Sequence, residues 1–263
     1  MHMDRRQFVK NLGLGTASLS MGSLVTASSC APSGDSSLKQ NVKEGEDGQF
    51  LFIGDDIAIA QTEYGKVQGY LLNHVYTFLG VPYGADTSGK NRFMPPQKPE
   101  PWTDVRPAVF YGNTAPQRME NRWPNNYGTF ADHWNYWDVS EDCLYLNVWT
   151  PGIADGKRRP VLVWLHGGGF TNGSGIEQDG YHGENISREG DIVFCSINHR
   201  LGPIGFSDLS GVGGEAYKDS GNVGMLDIIA ALRWVHDNIA NFGGDPGNVT
   251  VMGQSGGGSK VCT

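Results

Sequence analysis

Short apolar runs that stop at glycine constrain this chain more than any other feature. Residues 144–149, 161–165, 192–197 and 249–252 are brief, rich in β-branched side chains and nearly free of polar interruption. Runs of that length suit strands of a sheet covered on both faces. Between the last two, Met225, Ile228, Ile229, Leu232, Val235 and Ile239 recur at helical spacing and mark one apolar stripe. Asn241-Phe242-Gly243-Gly244 then supplies a glycine stop, with Pro246 beyond it. Strand, helix and strand in that order imply a right-handed crossover and parallel pairing. The expected class is therefore α/β, with a mostly parallel central sheet and flanking helices. Ahead of it, residues 57–79 alternate apolar and polar, with turn signals at Tyr64-Gly65-Lys66 and Leu72-Asn73-His74. That pattern predicts an antiparallel meander. Residues 80–140 have no clean period and are expected to form long ordered loops. Trp123, Trp134 and Trp137 lie there, either walling a cleft or packing onto the core.

Composition removes several classes. Glycine is 38 of 263 residues without a G-X-Y period, which excludes collagen and points to many tight turns. A formal charge of −8 argues against a nucleic-acid groove, which needs a basic face. No apolar run reaches the roughly 18 residues of a membrane span.

The first thirty residues read as an address. Asp4-Arg5-Arg6-Gln7-Phe8-Val9-Lys10 is a charged start, followed by a weakly apolar Gly/Ala/Ser/Leu stretch. The Arg5-Arg6 pair with Phe8 and Lys10 resembles a twin-arginine export signal. Cys30, after Ala27-Ser28-Ser29, either accepts a lipid or sits beside a plain cleavage site. Residues 31–54 then form a flexible tether, and residues 55–263 the globular part. Export to a bacterial periplasm, cell envelope or exterior is the expectation. With Cys30 set aside, Cys143, Cys195 and Cys262 give no simple disulfide framework. Cys195, inside an apolar run, reads as a core residue.

Chemistry concentrates at two glycine-rich turns. Gly253-Gln254-Ser255-Gly256-Gly257 follows the run at 249–252 directly. G-x-S-x-G carries little weight alone in so glycine-rich a chain, but a strand before it and small residues after it suit a sharp strand-to-helix turn. Such a turn lifts a serine hydroxyl clear of the sheet. His166-Gly167-Gly168-Gly169-Phe170 likewise follows the run at 161–165. Glycines leave backbone N–H groups free to face a cavity, where they stabilise a tetrahedral oxyanion. Gly168, Gly169 and Gly256 are the expected donors and Ser255 the expected nucleophile. His166 is assigned a structural role. No CxxC or HExxH spacing appears, and neither a metal nor an organic cofactor is implied.

Longer motifs carry a resemblance. The segment from Phe242 to Gly257, FGGDPGNVTVMGQSGG, matches the serine signature of the type-B carboxylesterases, the family of bacterial para-nitrobenzyl esterases and cholinesterases. Residues 141–151, EDCLYLNVWTP, match its second signature. Phe78-Leu79-Gly80-Val81-Pro82-Tyr83, Asn198-His199-Arg200-Leu201-Gly202-Pro203 and Gly221-Asn222 also fall where the family places them. The likeness covers residues 55–263. It implies an α/β-hydrolase fold, Ser255 as nucleophile and hydrolysis of a small-molecule ester.

Three departures qualify the resemblance. Gln254 stands where many members carry Glu. Cys143 usually pairs with an upstream cysteine, and residues 31–142 contain none, so Cys143 is expected to be a free, buried thiol. The family's triad order is Ser, then Asp or Glu, then His, yet residues 256–263 include neither an acid nor a histidine. The chain thus reads as the first part of a longer esterase whose His and acid lie elsewhere. The alternatives are a non-catalytic, neuroligin-like binding protein and an inactive truncated product.

Overall fold

The computed structural model describes residues 50–118 and 138–263. The proposed signal, Cys30, most of the tether, and Trp123, Trp134 and Trp137 lie outside the described residues.

Ten strands form two sheets among the described residues. Strands β1 (Leu51–Phe52), β4 (Tyr70–Leu72), β5 (Val75–Pro82), β7 (Tyr145–Thr150), β8 (Arg159–Leu165), β9 (Val193–Ile197) and β10 (Gly244–Gly253) build a seven-stranded sheet. Its order is β1-β4-β5-β7-β9-β8-β10. β2 (Ile59–Thr62), β3 (Gly65–Gln68) and β6 (Arg106–Pro107) form a small second sheet. The four short apolar runs become β7, β8, β9 and β10. The two turns expected in the meander separate β2 from β3 and β4 from β5. The meander does not stay in one sheet, however: its first hairpin belongs to the small sheet and its second to the large one. Gly69 sits at the crossing, where an added Cβ would meet the Thr77 carbonyl oxygen at 2.0 Å.

Pairing is mixed rather than mostly parallel. In the large sheet, among the described residues, only β8–β9 and β8–β10 run parallel, while β1 through β9 pair antiparallel down to the β7–β9 contact. The reason is the short link between β7 and β8, which reverses the chain before β9 inserts between them. Arg159 fastens that link. Its guanidinium is buried and reaches Asp155 at 2.6 Å and Asp191 at 2.7 Å.

The core lies between the large sheet and its helices. Every residue of β9 is buried, and Cys195 packs between Val148 of β7 and Val163 of β8. Cys143 and Cys195 are free, fully buried thiols, both pushed up by burial. Five helices complete the described chain: α1 (Glu184–Gly190), α2 (Gly202–Phe206), α3 (Ser210–Gly213), α4 (Val223–Asn238) and α5 (Gly256–Cys262). Helix α4 is the expected crossover between β9 and β10, but it is rotated from the expected stripe. Ile229 is exposed, while Gly224, Asp227, Ala231 and Trp234 face inward. Small residues allow the close approach: a Cβ on Gly224 would lie 2.5 Å from the Phe206 ring. A one-turn 3-10 extension ends at Gly243, whose φ of +75° closes the helix as the glycine stop predicts.

Candidate active site

Parallel pairing of β8 and β10 decides where the chemistry sits. Trp164 pairs with Met252 and Leu165 with Gly253, so the two strands end level. Both glycine turns therefore leave the same end of adjacent strands, although 86 residues separate Gly169 from Ser255 in sequence. Loops beyond the carboxyl ends of strands are where open α/β sheets hold their ligands.

Only Gln254 and Ser255 separate β10 from α5. A turn so tight needs near-contact of backbones. A Cβ on Gly253 would meet the Gly257 carbonyl carbon at 2.4 Å, and one on Gly257 would meet the Leu165 oxygen at 2.1 Å. Ser255 takes the resulting strain, with φ 53° and ψ −117°, and its side chain is exposed. Left-handed backbone at a non-glycine residue costs on the order of 1–3 kcal/mol and persists only when its surroundings impose it. Among the described residues no side chain hydrogen-bonds the Ser255 hydroxyl.

The first turn closes on the second. A Cβ on Gly256 would lie 2.4 Å from the Gly169 Cα, so this glycine is required for the two loops to touch. Gly168 and Gly169 have φ of +88° and +64°. The Gly168 carbonyl accepts from the N–H groups of Thr171 and Asn172 at 3.3 and 3.2 Å. Because the peptide is planar and trans, that bond turns the Gly169 N–H the opposite way. No described acceptor takes the N–H groups of Gly168, Gly169 or Gly256. The structure thus brings Gly256, next to Ser255, against Gly169, with Gly168 adjacent in the same loop.

The floor beneath is polar and buried. His166 is 1 % exposed; its Nδ1 lies 2.8 Å from the Gly167 oxygen, and its ring stacks 4.8 Å from His199. His166 is thus part of the turn's own framework. His199 is fully buried; burial drives its pKa well below the usual imidazole range, with His166 and Lys260 adding to the effect.

Two features escaped the sequence. Arg200 and Asp227 form a buried ion pair. Arg200 Nη2 and Nε donate to Asp227 at 2.6 and 2.8 Å, and the Arg200 backbone N–H adds a third bond at 3.0 Å. Asp227 sits in what looked like a plain amphipathic helix, and only pairing across 27 residues explains it. The pair ties α4 to the strand end after β9, and Arg200 Nη1 extends the tie to the Met94 carbonyl at 2.8 Å. The second feature is Lys260 of α5, 3 % exposed, whose ammonium donates to the Gly169 carbonyl at 2.6 Å. Among the described residues no cluster of three or more His, Cys, Asp or Glu is placed to hold a metal ion, and no helix is long and apolar enough to cross a membrane.

The carboxylesterase family model matches residues 56–263. The chain belongs to the carboxylesterase family. Para-nitrobenzyl esterase of Bacillus subtilis is 43 % identical over 206 residues, covering 77 % of this chain and 39 % of that protein. Phenmedipham hydrolase of Pseudarthrobacter oxydans is 45 % identical over 203 residues, with 77 % and 38 % covered. Among solved structures, an esterase from Clostridium hathewayi superposes with a TM-score of 0.74 at 43 % identity, over 81 % of this chain and 41 % of that one. That places this carboxylesterase-family chain in the α/β-hydrolase fold. It spans about two fifths of the length of these relatives.

Proposed function

We propose that the protein is a serine carboxylic-ester hydrolase that works through an acyl-enzyme at Ser255. The observation that carries this is an exposed, strained serine on a turn that packs, through Gly256, against the Gly168-Gly169 loop, with the N–H groups of these three glycines unclaimed among the described residues. Ser255 Oγ gives its proton to a histidine and attacks the ester carbonyl, and the carbonyl oxygen gains negative charge as its carbon becomes tetrahedral. Each N–H aimed at that oxygen is worth about 10²–10³ in rate. Collapse breaks the carbon–oxygen bond to the alcohol, which leaves with a proton from a histidine. Water then repeats the attack, releases the carboxylic acid and restores Ser255.

The histidine and its acidic partner are proposed to lie outside these 263 residues. This is supported by the unpartnered Ser255 hydroxyl among the described residues and by relatives of whose length the chain covers only about two fifths. The test is covalent labelling of the full-length protein with a fluorophosphonate, followed by peptide mapping. Modification at Ser255 is expected, together with loss of p-nitrophenyl ester hydrolysis in Ser255→Ala. A full-length protein that never labels would sink the esterase reading and favour a neuroligin-like binding role.

Export through a twin-arginine signal in residues 1–30, with Cys30 as a lipid acceptor, is proposed from the sequence pattern. Metabolic labelling with a palmitate analogue tests it: Cys30→Ala is expected to lose the label.

A further inference from the structure

Lys260 is a buried cation with no counter-ion among the described residues. No carboxylate pairs with it among the described residues; the Phe170 ring lies 5.0 Å from its ammonium, and its charge is one of the influences that lower the His199 pKa. Its residue exposure is only 3 %. An unpaired buried charge is costly enough that a stable fold built for stability alone would replace it with an apolar side chain. Its single hydrogen-bond acceptor is the carbonyl of Gly169, at 2.6 Å.

We infer that Lys260 is a positioning residue for the oxyanion turn: its ammonium holds the Gly169 carbonyl and so fixes the Gly169–Phe170 peptide, which anchors the Gly169 Cα on the side opposite its N–H. The inference rests on the esterase reading above. Gly168 and Gly169 both have left-handed backbone, and glycine peptides rotate easily between such conformations. Thr171 and Asn172 pin the Gly168 carbonyl on one side. Without a second pin the next peptide, Gly169–Phe170, is free to rotate, and the Gly169 N–H moves with its Cα. Lys260 supplies that pin from α5, the helix that begins beside Ser255. The helix that follows the serine directly thus carries the brace of the turn that serves it. Burial lowers Lys260 to about 8, which leaves the ammonium mostly protonated at neutral pH.

The experiment uses the full-length protein, with wild type first shown to label at Ser255. Lys260→Met keeps the volume and the contact with Phe170 but removes the donor. We expect kcat to fall about 10- to 100-fold, with KM changed less than about threefold. The affinity for a trifluoromethyl ketone, which forms a hemiketal oxyanion on the serine, is expected to fall in parallel with kcat/KM. The melting temperature at pH 7 is expected not to fall. Lys260→Gln, read the same way, guards against a folding failure of the Met variant. A Met variant with unchanged kcat overturns the inference, as does a loss of kcat without loss of ketone affinity. A loss of kcat that merely follows a lowered melting temperature assigns Lys260 to structure alone. If wild type fails to label, the esterase reading itself fails instead.

Discussion

Gly256 and Gly169 show how differently two glycines of one site can be constrained. Gly169 has φ +64° and nothing within 4 Å of an added Cβ, so Gly169→Ala meets only backbone strain. Gly256 is blocked by the Gly169 backbone at 2.4 Å. Gly169→Ala should therefore cost about 1 kcal/mol of stability and retain part of the activity. Gly256→Ala must push the two turns apart, and kcat should fall at least about 10²-fold, the value of one lost oxyanion donor. Thermal melts and steady-state kinetics on both variants check the contrast. Asp227→Asn leaves the Arg200 charge buried with a weaker partner and should cost about 3–5 kcal/mol, read from denaturant midpoints. Lys260 gives a pH dependence of definite sign. Its pKa drops from 10.5 to about 8 on folding, so between those values the unfolded chain holds the extra proton and stability rises with pH. Lys260→Met should thus exceed wild type in stability most clearly at pH 7, and the gap should close towards pH 10.

At the scale of elements, β10 stands apart. It is ten residues long and is the last strand in the sheet order, and its burial pattern is largely half-buried or exposed, with Met252 at 41 % exposure. An open edge of that length is a template for pairing with another chain. The 263-residue polypeptide expressed by itself is expected to aggregate, and to hydrolyse p-nitrophenyl esters no faster than its own Ser255→Ala version. Light scattering and a colorimetric assay decide this; clear Ser255-dependent turnover would refute it. The elements also mark where a sequence pattern is legible. β7, β8, β9 and β10 were visible because each is a contiguous apolar run bounded by turns. The inward face of α4 was not. Apolar spacing favours Ile229 over Gly224, whereas packing selects the residue small enough for Phe206 and the carboxylate that meets Arg200.

Across the whole molecule, the sequence by itself determined the strand-ending glycine turns, the crossover helix and the serine, since each is written in adjacent residues with local steric demands. The family likeness was legible for the same reason, in contiguous motifs such as residues 242–257. Only the tertiary structure decided what lies beside what. Parallel pairing of β8 with β10 set two distant turns at one sheet end, and the short β7–β8 link made the sheet mixed rather than mostly parallel. The partners of Asp227 and Lys260 were likewise hidden, because a buried charge is defined by a neighbour that the fold supplies. Local backbone geometry can be read along a chain. Desolvation and close approach depend on distance in space, which sequence order does not encode.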